Sequence, residues 1–439
     1  MISKIEETTP FIKNFEDVAQ SLLSKNDPLW LKDIRQKSLS RFRQLGLPTV
    51  RDEEWKYTNL SPIAKNIFHL PTTGQIIEKE ALQKYITQAE INIVFVNGIF
   101  SKELSNLKNI PKGVTILPLE EAFQKEETTF KSISKKFDPE KETTFVVLNK
   151  TLQTTGIFIK VAATSIINNL IHIIHVTSVA KDSIVTFPRT VISLEKSSEA
   201  TVLESHVAFS DDSTYLINAL TDIVVEENAT LHYTKAQKES QKAYAVTNTR
   251  VWQERNSNFN GMTVTTEGSI IRNNLDIILN GEGATGTLDG LYSIYKSQLV
   301  DNHTMVDHRV PNCQSNQLYK GILNDAAHAV FNGKIFVRSI AQKTNSYQLN
   351  KNLLLGKKCL VDTKPQLEIS ADDVKCTHGA TIGQLNEDEI FYLRSRCIDK
   401  RTATKMLARG FVDDLLNTIK SDSIHQKMNL LLEPSLSAL

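Results

Sequence analysis

The chain has 439 residues, 40% of them hydrophobic and 23% charged, which is typical of a globular protein with two or three domains. Its 51 basic and 50 acidic side chains give a net charge of +1, so no overall electrostatic attraction for nucleic acid is expected. No apolar run reaches the roughly 18 residues that cross a bilayer, and Met1–Thr9 carries Glu6 and Glu7 where a signal peptide has basic and apolar residues. We therefore expect a cytoplasmic protein that binds neither nucleic acid nor a membrane.

Residues 1–139 form the first predicted domain, which is helical near its start and mixed thereafter. Apolar residues recur every three or four positions in 11–22 and again in 29–47, which predicts two amphipathic helices. The strand-like run Ile91–Val96 ends at an Asn-Gly turn signal, and Leu117–Gln124 predicts a short helix.

Residues 140–384 form the second predicted domain, in which helical periodicity nearly disappears. Short runs of β-branched and aromatic residues alternate with polar residues, which predicts strands. Examples are Thr144–Leu148, Ile157–Val161, Ala200–Phe209, Ala229–Tyr233, Ile270–Leu279 and Ala329–Val337.

A weak internal repeat lies late in this domain. Ser315–Lys320 resembles Ser346–Lys351 at an offset of 31 positions, and Ala329–Lys334 resembles Leu360–Lys364 at nearly the same offset. Repeated strands with tight turns are typical of a β-solenoid, in which each coil buries its inner face against the next. A large β-sandwich is the alternative, but the regular offset favours the solenoid.

Residues 385–439 form the third predicted domain, which is helical again. Asn386, with Glu389 three residues later, resembles a capping box, and Asp399 is a second candidate cap. The helices that follow are expected to pack on the end of the β domain or to present their apolar faces to a partner.

Two candidate sites fail on their spacing. The glycine string Gly281–Gly286 leads into another strand-like segment, whereas a dinucleotide site requires a helix whose N-terminus faces the phosphates. His303 and His308 are five residues apart, so on a strand they point to opposite faces, and the same objection applies to His172 and His175. We interpret these histidines, and Asp307 beside them, as hydrogen-bonded polar residues. No catalytic residue and no phosphate-binding loop is predicted.

Cys376 and His378 are two positions apart on a predicted strand, so their side chains should face the same side. A thiol and an imidazole displayed together form half of a metal or cluster site, and a second chain would have to complete it. A buried thiol beside a hydrogen-bonded histidine is the alternative. The chain has no Cys-x-x-Cys pair, so we expect Cys313, Cys359, Cys376 and Cys397 to be reduced thiols.

Several segments of the chain resemble the Suf iron–sulfur cluster assembly family of SufB and SufD scaffold subunits. Asp373–Leu385 followed by Phe391–Arg396 resembles the C-terminal signature of its SufD branch. Gly46–Pro48 with Asp52–Thr58, and Val94–Ser101, resemble motifs of the family's N-terminal half. The SufD branch is favoured because no cysteine precedes Cys313, whereas many SufB chains carry N-terminal cysteines.

The resemblance implies a mainly β protein with a right-handed parallel β-helix, a β-solenoid, between helical or mixed N-terminal and helical C-terminal domains. It implies a non-catalytic scaffold that pairs with a SufB-like paralogue and docks a SufC-like ABC-type ATPase. Cys376 and His378 would be metal ligands shared with the partner chain. The chain alone would bind no cofactor tightly, and a transient iron–sulfur cluster would form at the partner interface. Whether a flavin binds to the assembled complex is left open.

The apolar stripe of the C-terminal helices is predicted to dock the ATPase, although part of it must pack the helices together. Its residues are Phe391, Leu393, Met406, Leu407, Phe411 and Leu415. Cys397 departs from the family, which commonly has glycine at this position, so we expect a structural role for this residue.

Two further function classes are kept as alternatives. One is a stand-alone β-helix interaction protein that forms homodimers, and a homodimer of the isolated chain is compatible with either function. The other is a β-helix polysaccharide lyase or hydrolase. That enzyme class usually requires export and a groove with clustered acidic residues, and the sequence indicates neither.

Overall fold

The computed structural model describes residues 10–23, 27–71, 77–87, 91–153, 155–178 and 183–437, so Met1–Thr9 lies outside the described residues. Its helices are α1 Pro10–Leu23, α2 Leu29–Leu45, α3 Ser61–Ala64, α4 Lys79–Leu82, α5 Leu119–Lys125, α6 Glu127–Lys136, α7 Thr144–Leu152, α8 Glu387–Ser395, α9 Lys400–Leu416 and α10 Asp422–Ser437.

Its strands are β1 Ile91–Val96, β2 Ile99–Asn106, β3 Val114–Pro118, β4 Gly156–Val161, β5 Ile166–Thr177, β6 Ile184–Thr186, β7 Arg189–Leu194, β8 Glu199–Ala208, β9 Tyr215–Val225, β10 Thr230–Lys238, β11 Tyr244–Gln253, β12 Asn258–Glu267, β13 Ile270–Leu279, β14 Thr285–Ile294, β15 Leu299–His308, β16 Gln314–Leu323, β17 His328–Val337, β18 Thr344–Leu354, β19 Leu360–Ile369 and β20 Val374–Gly383.

Successive strands from β7 to β20 alternate between two facing sheets, and each pairs in parallel with the strand two positions along the chain. The result is a parallel β-solenoid of about 7 turns, with 44% strand and 26% helix, which confirms the predicted mainly β fold. We call the sheet that ends at β20 the first sheet and the sheet that ends at β19 the second sheet. Strands β1 to β3, which precede residue 140, also join these sheets.

The repeat found in the sequence marks neighbouring coils. β16 pairs with β18 so that Ser315 lies beside Ser346 and Lys320 beside Lys351, an offset of 31. The second pair of similar segments lies on β17 and β19, where Ala329 is beside Val361. In the first pair of segments equal side chains therefore stack on each other from coil to coil. In the second pair the register offset is 32 positions, so Lys334 lies beside Gln366 and the matching residues are not direct neighbours.

The main core fills the space between the two sheets. Alternate residues of each strand point into it, such as Ile277 and Leu279 of β13 and Tyr292 of β14, each at most 1% exposed. Gly281 and Gly283 lie in the turn between β13 and β14, and a strand follows this turn, in agreement with the prediction that it is no dinucleotide site.

Helices cover the outer face of each sheet. On the second sheet, α1, α2 and α7 form one apolar cluster and α5 and α6 form another. On the first sheet, apolar residues of β8 to β18 pack against α9 and α10. Helices α9 and α10 therefore lie along the side of the solenoid and do not cover its last coil, which β19 and β20 form.

The N-terminal motif Asp52–Thr58 fastens the first domain to the solenoid. The indole of Trp55 lies under the guanidinium of Arg272, whose carbon is 4.2 Å from the ring centroid. Thr58 Oγ1 donates to Asp301 Oδ2 at 2.5 Å, and Arg272 Nη1 donates to the same carboxylate oxygen at 2.6 Å. Because Asp301 is 1% exposed, this buried carboxylate needs both donors.

One predicted strand is wrong. Thr144–Leu148 belongs to helix α7, which is buried between α2 and the second sheet. Phe145, Val147 and Leu148 are each 1% exposed, so the helix has little polar surface and shows no amphipathic stripe. A short, fully apolar run does not distinguish a buried helix from a strand.

Candidate functional site

The last coil of the solenoid is open. β20 pairs with β18 on one side and β19 pairs with β17, and no strand among the described residues pairs with the other edge of either. The outer edges of both strands therefore leave backbone N–H and C=O groups free to pair with another chain.

Cys376 and His378 both point toward the interior at this open end. In the register of β18 with β20, they lie beside Ser346 and Gln348, which are 1% and 0% exposed between the sheets. The residue opposite Thr377 is Tyr347, which faces outward. Cys376 is half-buried and His378 is exposed, because no further coil covers them.

The thiol of Cys376 packs against a small apolar cluster that includes Ile335, Val337 and Ala371. Partial burial raises the pKa of this thiol, although a backbone hydrogen bond at Ser346 opposes the shift. The group is therefore a neutral thiol at pH 7, and a metal ion would have to displace its proton in order to bind sulfur.

No third ligand from the described part of the chain completes a metal site with Cys376 and His378. The single group of three or more potential ligands found in those residues is His175, Glu204 and His206, which lies elsewhere. The two residues thus offer at most half of a site.

Exposed apolar side chains surround the open end. They are Ile340, Tyr347, Leu360, Ile369 and Ile382, which are 63%, 44%, 61%, 40% and 49% exposed. Leu360 and Ile369 lie on β19, and Ile382 lies on β20. Large exposed apolar patches on a soluble protein are typical of interaction surfaces.

The predicted docking residues of the C-terminal helices separate into two groups. Phe391 and Met406 are 73% and 49% exposed, and Leu393 and Leu407 line a shallow groove between α8 and α9. The groove is bordered by Asp388, Glu389 and Tyr392.

The other two docking residues pack against the solenoid. Leu415 is 1% exposed in the cluster beneath α9 and α10, and burial there removes it from the predicted docking face. Phe411 is half-buried, and the ammonium of Lys320 lies 4.8 Å from its ring centroid. Lys320 Nζ also donates to Asp414 Oδ1 at 2.5 Å, so this part of α9 holds the helix on the first sheet.

The two histidines of β15 that were rejected in the sequence both have polar partners. His303 Nε2 lies at ion-pair distance, 2.9 Å, from Asp301 Oδ1, and His308 Nε2 forms a 2.9 Å hydrogen bond with Ser315 Oγ on the opposite face. The His175 group was missed, because its other members lie one coil later on β8. Two features of the sequence could have indicated it. Glu204 and His206 are two positions apart, so they share one face of a strand, and His206 follows His175 by 31 residues, which is one coil length.

None of the helices in the described segments is both long and apolar enough to cross a lipid bilayer.

The fold defines a β-solenoid protein with helices on both outer faces and an open last coil. Comparison with known families matches residues 175–411 to the SUF system FeS cluster assembly SufBD core domain, and residues 5–173 to the SufBD protein N-terminal region. The chain belongs to the SufBD family of iron–sulfur cluster assembly proteins.

Relatives from distant organisms support this assignment. The chain is 31% identical over 418 residues to a SufBD family iron–sulfur cluster assembly protein of Synechocystis, covering 93% of this chain and 92% of the relative. It is 31% identical over 400 residues to the iron–sulfur cluster assembly protein SufD of Escherichia coli, covering 90% of each chain. It is 27% identical over 426 residues to the chloroplastic protein ABCI7 of Arabidopsis thaliana, covering 95% of this chain and 89% of that protein.

Proposed function

We propose that this chain is a non-catalytic scaffold subunit that builds an iron–sulfur cluster together with a SufB-like paralogue. The observation that carries the proposal is the position of Cys376 and His378, which face the interior of an uncovered coil. The cluster is the cargo of this site, and half of its ligands would come from the partner chain.

The open end suits a partner of the same fold. A paralogous solenoid can extend both sheets by pairing with β19 and β20, and its own last coil would cover the exposed apolar residues around them. Such pairing would also bring its side chains within reach of Cys376 and His378. Because the ligands come from two chains, the site forms on assembly and opens when the subunits move apart.

The SufC-like ATPase would dock on α8 and α9. Phe391 and Met406 provide exposed apolar contacts beside the groove that contains Leu393 and Leu407. The acidic groups of Asp388 and Glu389 at its border favour a partner surface that combines apolar and basic side chains. Energy for moving the two solenoids would then come from the ATPase, because this chain offers no phosphate-binding loop of its own.

Reconstitution of the cluster tests this proposal. The chain is co-purified with a SufB-like paralogue and a SufC-like ATPase, and the complex is supplied with Fe²⁺ and sulfide under anaerobic conditions. His378→Ala is expected to reduce the cluster yield about tenfold or more because a ligand is lost. Cys376→Ala is expected to have a smaller effect, because its sulfur is a neutral thiol.

The matched control is Thr377→Ala, which lies between the two residues and faces outward. It should leave both the complex and the cluster yield unchanged. A His378→Ala complex that assembles and forms clusters at the wild-type level would overturn the proposed site. Loss of the whole complex in this variant would instead identify His378 as a structural residue.

The same edge also fits a second copy of this chain, so the stand-alone homodimer is the second candidate function. The exposed apolar residues on β19 and β20 support a homodimer, because a second copy of this chain can cover them as well as a paralogue can. Sedimentation of the isolated chain and of an equimolar mixture with the paralogue distinguishes the two. A homodimer that persists in the mixture would favour the second candidate.

A further inference from the structure

A cluster of ionisable side chains lies inside the solenoid, in coils near its N-terminal end. His175 is on β5, and Glu204 and His206 are on the neighbouring strand β8 of the same sheet. All three point into the space between the sheets, with exposures of 6%, 1% and 1%. Six strand spacings of the first sheet separate β8 from β20, so this cluster is roughly 28 Å from Cys376 and His378.

The three side chains converge on one point. His175 Nε2 lies 3.2 Å from Glu204 Oε1, and His206 Nε2 lies 4.0 Å from the same oxygen. All three ligand atoms are within 4.8 Å of one another. Around a tetrahedral Zn²⁺ ion with bonds of about 2.0–2.2 Å, neighbouring ligand atoms are roughly 3.3 Å apart, so only small movements are needed.

The two imidazoles stack with centroids 4.6 Å apart and an angle of 19° between their planes. The Cβ–Cγ torsion of histidine is a broad one, so rotation of the two rings can bring their Nε2 atoms towards a common point beside Glu204. Phe95 stacks on the other side of His175 at 5.0 Å and closes the cluster with an apolar wall.

Hydrogen bonding inside the cluster is incomplete. Neither nitrogen of His206 has a hydrogen-bond partner in the described part of the chain, and Nδ1 of His175 has none there either. Buried polar groups of this kind are rare and require an explanation. His308, a second histidine in the interior, lacks a partner only at Nδ1, because its Nε2 pairs with Ser315, whereas His206 lacks one at both ring nitrogens.

Hydroxyl groups hold the carboxylate of Glu204 in place. A carboxylate and a neutral imidazole are forms that divalent metal ions accept as ligands. The Glu204 carboxylate accepts from Thr190 Oγ1 at 3.0 Å and Thr221 Oγ1 at 3.1 Å, and these bonds fix its orientation.

We propose that His175, Glu204 and His206 bind one divalent transition-metal ion, of the class of Zn²⁺ or Fe²⁺, inside the solenoid. Two imidazoles and one carboxylate are a ligand set that both ions accept, with a water molecule as a further ligand. The ion would join β5 to β8 and so fasten neighbouring coils together. This site is separate from the proposed cluster site and does not depend on it.

Metal content tests the proposal on the full-length chain. The protein is expressed in medium supplemented with zinc and iron, passed over a gel filtration column in the presence of EDTA, and analysed by plasma mass spectrometry. We expect close to one equivalent of metal per chain. Protein unfolded with a chelator and refolded with Co²⁺ should show the visible d–d absorption of a low-symmetry Co²⁺ site.

Variants assign the metal to these residues. Glu204→Gln and His206→Gln preserve side-chain polarity and should weaken Co²⁺ binding by more than about 100-fold. His308→Gln, at a partnered interior histidine, should retain the metal. The double variant Cys376→Ala with His378→Ala should also retain it, which separates this site from the cluster site.

Two results would overturn the inference. One is a wild-type chain that holds only traces of metal and gives no Co²⁺ absorption after refolding. The other is a folded Glu204→Gln or His206→Gln protein that binds metal like the wild type. If a variant does not refold, the metal content of its soluble as-expressed protein is compared with that of the His308→Gln control, and equal contents would count against the site.

Discussion

Cys397 occupies a backbone conformation that glycine favours. It follows α8 with φ at 64°, in the left-handed region, where a side chain crowds the following carbonyl. Its N–H donates to the carbonyl of Arg394 at 3.0 Å, and that of Ile398 donates to Leu393 at 3.3 Å, so the residue closes the end of the helix. Glycine would adopt this conformation without strain.

Cys397→Gly is therefore expected to stabilise the protein by about 0.5–1 kcal/mol, because relief of the strained φ exceeds the entropy that glycine loses on folding. The thermal midpoint should rise by about 1–2 °C in scanning calorimetry. Cys397→Ala is the control, since it removes the thiol but keeps the strain, and its midpoint should not rise. Equal midpoints for the glycine and alanine variants would contradict the backbone explanation.

The spacing of Cys376 and His378 was sufficient to place both side chains on one face of a strand. Which face they share depends on the register of β20 with β18, where Ser346 and Gln348 point inward. That register is a long-range pairing, and the 31-residue repeat in this region was the only hint of it. The His175 cluster was harder to predict, because its ligands are brought together only when β5 and β8 become neighbours.

The coil repeat has a second sequence signal in its turns. Residues in the left-handed region close one corner of successive coils at Asn228, Asn256, Gly283 and Asn312, in steps of 28, 27 and 29. Asparagine and glycine tolerate this conformation best, so the pattern has a physical cause. Helix α7 had no comparable signal, since it is buried on nearly every side.

β14 carries a carboxyl group beneath the C-terminal helices. Asp289 is 7% exposed on its outer face, in a small cavity lined also by His232 and Lys420. Burial raises the pKa of Asp289 to about 7, although a backbone hydrogen bond at Leu318 opposes the shift. The folded state thus binds a proton that the unfolded chain releases near pH 4, so its stability falls as pH rises from about 4 to 7.

Asp289→Asn removes this loss and should stabilise the protein above pH 7, by about 4 kcal/mol at most. Well below pH 4 the variant and the wild type should be nearly equal, because Asp289 is then protonated in both states. Calorimetric midpoints between pH 5 and 8.5 measure the difference. Asp212→Asn, at a side chain that is 81% exposed, is the control and should show no such pH dependence. A constant difference across the range would contradict the assignment.

At the scale of the whole molecule, the order of helical, β and helical regions was visible in the change of periodicity along the chain. The way in which the outer regions pack on the solenoid was not visible in the sequence. Strands β1 to β3 enter the sheets from a segment that also contains helices, and α9 and α10 lie along the first sheet instead of at its end. Both arrangements depend on contacts between residues far apart in the sequence, such as Ile91 with Ile171 and Lys320 with Asp414, which local patterns do not encode.

The two proposed docking surfaces lie on different parts of the molecule, and reciprocal variants distinguish them. Ile382→Lys places a charge on the open edge and should weaken capture of a SufB-like paralogue by about tenfold or more, while ATPase binding is retained. Phe391→Asp places a charge on α8. It should weaken binding of the ATPase by a similar factor, while capture of the paralogue is retained.

Each variant is thus the folding control for the other, and Leu430→Lys, at an exposed apolar residue of α10, should affect neither association. Affinities are measured by surface-immobilised capture of each partner at constant salt. Because both changes are on exposed side chains, their thermal midpoints should match the wild type. If Ile382→Lys released the ATPase as well, or if Phe391→Asp released the paralogue, the two surfaces would be coupled or wrongly assigned.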